Sequence, residues 1–76
     1  MIEQRKVIYE GVELVVPFDT VYLGTDSKGV VTAHYERPWT EPDYWEGYEL
    51  GEITQLPVPD DWTDSLVKYD DMSLTE

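Results

Sequence analysis

The sequence predicts a small, mainly β fold, an antiparallel meander of about five strands with one short helical turn near Trp62. Three observations carry that expectation. Runs of β-branched and aromatic residues alternate with short turn-forming groups. The one segment with helical spacing is a single turn long. A chain of 76 residues without cysteine holds one core, unaided by disulfides or thiolate metal sites. At ~0.05 to 0.15 kcal/mol per residue such a domain is stable by only roughly 4 to 11 kcal/mol, so each large core ring matters.

The first hairpin joins residues 6–9 (KVIY) to residues 12–16 (VELVV) through Glu10-Gly11, whose glycine is free to take positive φ. Pro17 ends the second strand because it has no N–H to donate, and Phe18-Asp19-Thr20 makes the corner. A second hairpin pairs residues 21–25 (VYLGT) with residues 30–36 (VVTAHYE) across Asp26-Ser27-Lys28-Gly29. Aspartate capping the turn and glycine relieving its exit are type I turn chemistry.

Residues 48–55 form a fifth strand, with Tyr48, Leu50 and Glu52 on one side and Glu49, Gly51 and Ile53 on the other. The imperfect alternation suits a sheet edge. Pro57-Val58-Pro59 is a stiff connector. Asp60 or Asp61 then caps a helical turn whose Trp62 and Leu66, four apart, share a buried face and plug the core; residues 67–69 add a short strand. The domain spans residues 6–69, between an N-terminal arm (1–5) and a flexible acidic tail (70–76).

Charge is the strongest global signal. Seventeen acidic residues face five basic ones, a net charge of −12, and residues 36–76 alone carry −10. Such a field repels phosphate backbones and anionic lipid and attracts basic proteins, so direct nucleic-acid or membrane binding is not expected. No apolar run approaches a membrane span, and residues 1–9 lack the apolar core of a signal peptide. A hydrophobic content of 41% with ten aromatic residues argues against disorder.

Residues 36–49, ERPWTEPDYWEGYE, combine five carboxylates with four large rings. Trp39, Tyr44, Trp45 and Tyr48 are of the types that dominate interface hot spots, and Glu36, Glu41, Asp43, Glu46 and Glu49 interleave with them. Rings rimmed by carboxylates suit a partner presenting Arg and Lys. In so small a protein, at least half of the four rings are expected to fold back over the sheet as core.

The marks of catalysis are missing. His34, the single histidine, is expected on a strand with one face half exposed, and no nucleophile and base are marked for mutual contact. Carboxylate pairs are inevitable in so acidic a chain, which is short for a sugar-sized cleft. Asp60, Asp61 and Asp64 lack the alternation, central glycine and terminal glutamate of a calcium loop, and Gly24 and Gly29 do not form a phosphate cradle. The expectation is a protein that is not an enzyme and holds no cofactor or metal.

The order Val7, Tyr9, Gly11 to Leu14, Val16 and Pro17, then Asp26 and Gly29, then Trp62, Ser65 and Leu66 resembles a group of small uncharacterised proteins of tailed bacteriophages. Their pattern is a V-x-Y-x-G-V-E-L-x-V-P hairpin, an Asp/Gly turn and a W-x-x-S-L end. The likeness spans most of residues 6–69, but these are marks of fold and not of chemistry. It implies a viral origin and a place in the host cytoplasm, and it carries over no site. The expected function is that of an accessory protein that binds and inhibits or modulates a host protein with a basic surface, in its sharpest form a DNA mimic. The alternative is a structural homo-oligomer whose acidity serves solubility alone.

Overall fold

The computed structural model describes residues 4–69, and the acidic tail expected from residue 70 lies outside them. The protein is mainly β. Its strands are β1 (Gln4–Tyr9), β2 (Val12–Pro17), β3 (Tyr22–Thr25), β4 (Val30–His34), β5 (Trp39–Thr40), β6 (Trp45–Glu46), β7 (Glu49–Gln55) and β8 (Val67–Lys68), with a 3-10 turn at Trp62–Asp64. Gln4 and Arg5, expected in an arm, already belong to β1.

The strands do not form one meander. β1 and β2 make a separate hairpin, β7-β4-β3-β8 a four-stranded antiparallel sheet, and β5 and β6 a two-residue ladder. The two-residue turn explains the hairpin: Glu10 (φ 52°) and Gly11 (φ 75°) are both left-handed, the type I′ geometry whose twist matches the strands. The second turn is fixed by Asp26, whose carboxylate accepts from the N–H groups of Lys28 (2.8 Å) and Val30 (3.1 Å).

Alternation decides which side of the hairpin is buried. Val7, Tyr9, Leu14 and Val16 point inward and meet Leu23, Val31 and Ala33 of the sheet, while Leu50, Ile53, Leu56 and Tyr69 pack at the margin. Leu50 and Ile53, three apart, would face opposite ways in a regular strand. Register shifts between Val31 and Thr32 and between Ala33 and His34 leave Ile53 and Leu50 as extra residues on β7, and both reach the core. Two bulges thus account for the imperfect alternation, and β7 does lie at an edge.

The helical turn does not plug this core. Asp61 caps it as expected, accepting from the Thr63 N–H at 3.2 Å, but no residue of the turn is buried. Trp62 and Leu66 are half-buried, and Trp62 meets Trp45 edge to face. The anchor is Ser65. Its hydroxyl accepts from the Thr25 N–H (2.9 Å), and the Thr25 carbonyl (3.0 Å) and the Trp62 carbonyl (2.7 Å) share its one proton. β8 pairs only with Tyr22 and Leu23, so a serine side chain completes the edge of β3 where the partner strand has run out.

Gly24 lies between Leu23 and Thr25 of β3 and has no side chain to fill the sheet face opposite the main core. A Cβ there would approach Trp45 Nε1 to 2.8 Å and Cδ1 to 2.9 Å. Gly24→Ala should therefore displace the indole and reduce stability by about 1 to 3 kcal/mol, the usual penalty of overpacking. Urea denaturation of both proteins checks this, and an unchanged midpoint would show that the indole does not rest there.

Candidate interaction surface

The acidic aromatic stretch is folded back on the sheet at several points. The Asp43 carbonyl accepts from the Ser27 N–H (3.1 Å) and hydroxyl (2.9 Å), and the Glu41 N–H donates to the Tyr44 carbonyl at 2.8 Å, closing a turn. Trp45 supplies the deepest point. Its ring covers Gly24, its Nε1–H donates to the Thr25 carbonyl at 3.1 Å, and it meets Trp62 at 6.2 Å and 89°. Trp45 is 6% exposed, so of the expected contact residues this one is structural and not available to a partner.

The other three rings stay outside, fewer folding back than expected. Trp39, Tyr44 and Tyr48, with Tyr35, each keep between 45 and 49% of their surface exposed. Tyr48 is central: its ring meets Tyr35 at 5.5 Å and Trp39 at 6.2 Å, both edge to face. Tyr35 is not among the sequence candidates; its N–H donates to the Tyr48 carbonyl at 3.0 Å, which continues the β4–β7 ladder by one pair and sets the two residues side by side.

Two features hold this cluster in place. Tyr48 is left-handed (φ 57°), a conformation that costs a large side chain roughly 1 to 3 kcal/mol and persists only where its surroundings enforce it. Gly47 beside it carries the Trp39 ring, and a Cβ there would come within 2.7 Å of Cη2, 2.9 Å of Cε3 and closer still to Cζ3. Approach to three neighbouring ring atoms places Gly47 against the face of the indole. The indole N–H points to Glu41 Oε2 at 2.9 Å. Of the remaining carboxylates, Glu36, Asp43, Glu46 and Glu49 are exposed. The charge of Glu46, then desolvation, then the charges of Glu41 and Asp43 hold the Tyr44 hydroxyl above its ordinary value.

Beneath the cluster lies His34, fully buried and not half exposed. Its Nδ1 is 2.7 Å from the Gly47 carbonyl and its Nε2 is 2.8 Å from the Thr32 hydroxyl. A carbonyl only accepts, so Nδ1 carries a proton, and in the neutral ring that burial favours Nε2 accepts from the Thr32 hydroxyl, so that both nitrogens are satisfied. Burial pushes its pKa below the ordinary histidine value, opposed by the Gly47 hydrogen bond and by the charge of Glu49.

Among the described residues no three His, Asp or Glu side chains gather as metal ligands, and no helix is long and apolar enough to cross a membrane. The arrangement is a patch of exposed rings and carboxylates. No family model, curated protein or solved structure matches the chain.

The histidine gives a pH signature. Its folded-state value is lowered, so its contribution is fully present above the unfolded value of about 6.5 and is lost as pH falls through that point, at up to ~1.4 kcal/mol per pH unit. His34→Gln can donate to Gly47 and accept from Thr32 without titrating. Between pH 8 and pH 5.5 the parent should lose stability relative to this variant in paired denaturation curves. Parallel curves would show that His34 is not held neutral.

Proposed function

We propose that this chain is a non-enzymatic acidic binding protein, and that its exposed rings grip a basic surface on another protein. The contact surface is Trp39, Tyr44 and Tyr48, with Tyr35 added, and its rim is Glu36, Glu41, Asp43, Glu46 and Glu49. The observation that carries this reading is Tyr48. A bulky residue is kept left-handed with its ring half in water between two others. Conformational strain and exposed aromatic area are both unfavourable for a free monomer, and their coincidence is characteristic of recognition surfaces. The acidic rim adds long-range attraction for a basic partner and accelerates encounter.

In its narrower form the protein is a phage accessory factor that occupies the basic groove of a host nucleic-acid-handling protein. Duplex DNA carries roughly one charge per 1.7 Å, and a folded acidic face competes for the same arginines and lysines. A second reading has its own observation. Ile8 and Val15 stand exposed together on the outer side of the β1–β2 hairpin, with Phe18 exposed beyond its end, so that side could join copies of the chain.

Affinity capture from bacterial lysate, at low and at high salt, separates the readings when run beside Trp39→Ala and Tyr48→Gly. Glycine accepts the left-handed backbone, so the second variant removes the ring while keeping the fold. The expected result is a nucleic-acid-handling protein held by the parent, lost with both variants, weakened by salt and displaced by duplex DNA. A partner that DNA does not displace would remove the mimicry form. Equal capture by parent and variants would remove the surface, and a stable oligomer in sedimentation that dissociates on Ile8→Lys would establish the second reading.

A further inference from the structure

The surface so read contains one position built for a particular cation. One face of the Trp39 indole lies against Gly47, and the residue nevertheless keeps 49% of its surface exposed. The ring cannot swivel freely, because its N–H is bonded to Glu41 Oε2 and it meets Tyr48 edge to face at 87°. The same bond places a carboxylate at the edge of the ring, with Oε1 not used by the indole.

We propose that the face of Trp39 turned away from Gly47, together with Glu41, is a seat for an arginine side chain of the partner, the guanidinium lying flat on the indole while donating to the Glu41 carboxylate. This rests on reading the surface as a binding site for a basic protein. The planar guanidinium is weakly hydrated, stacks on aromatic faces and presents several N–H donors in its own plane. It meets the ring and the carboxylate together. A lysine ammonium is compact and strongly hydrated, and it gains the charge attraction without the stacking. The negative surroundings favour either cation: Glu46, Glu41 and Asp43 all act on the Tyr44 hydroxyl of the same stretch. Charge draws a basic segment in, and the seat selects arginine within it.

The test uses two glycine-spaced peptides of equal charge, one with four arginines and one with four lysines. Each is titrated into the full chain while the backbone amides of parent and variants and, where it is present, the Trp39 indole N–H resonance are followed by NMR. The arginine peptide should shift that resonance and bind roughly three- to fivefold tighter than the lysine peptide, the size of an exposed cation–π contact. Trp39→Ala and the isosteric Glu41→Gln should each abolish the preference, leaving weak binding of both peptides that salt removes. Equal affinities in the parent, still reduced by Trp39→Ala, would overturn the arginine seat and leave the broader reading standing. Binding of neither peptide at low salt would overturn both.

Discussion

The fold converges on Thr25. The Tyr9 hydroxyl from the first hairpin meets its Oγ1 at 2.6 Å and reaches the Ser65 carbonyl at 3.2 Å, Ser65 bonds its N–H and carbonyl, and Trp45 donates to the same carbonyl. Hairpin, sheet, acidic stretch and 3-10 turn are thus tied to one residue at the end of β3. These bonds are buried, where an unmade partner is costly, so losing one member exposes the others to a desolvation penalty. For a protein with so small a core, this knot is what makes four segments one unit.

From that knot the two sides of the sheet diverge. One side takes the hairpin and forms a conventional core around Leu23, Val31 and Ala33. The other is covered by residues 39–48, where glycine twice provides the seat for an indole: Gly24 beneath Trp45 and Gly47 against Trp39. The first indole faces inward and anchors the stretch, while the second faces outward. His34 links the two levels, bonded to Thr32 of the sheet and to the Gly47 carbonyl under the exposed cluster. Residues 36–49, with five carboxylates, would otherwise be extended by their own repulsion.

What was legible in the sequence follows the range of the interactions that decide it. The turns of the two hairpins and the Asp61 cap rest on residues close in sequence, Tyr9 with Val12, Asp26 with Val30 and Asp61 with Thr63, and turn chemistry displays them directly. The division of labour between Trp39 and Trp45 was not legible. It depends on Gly24, distant in sequence, and no local pattern separates a ring that covers a glycine from one that stands on another. The bulges of β7 are hidden for a related reason: alternation is visible along one strand, whereas the register is set against β4. Tyr35 lies outside the acidic run that begins at Glu36, and only strand pairing brings it opposite Tyr48. The full burial of His34 likewise comes from a chain segment folding over it.

If residues 35–48 form a fixed surface before any partner arrives, amide hydrogen exchange of the free protein will report it through the N–H groups of Tyr35 and Glu41, bonded to the Tyr48 and Tyr44 carbonyls. Both should be protected together with the amides of β3 and β4, as members of one cooperative unit. Exchange at the rate of an unstructured chain, while β3 and β4 stay protected, would mean that the rings are not held in place and that no surface is formed in advance.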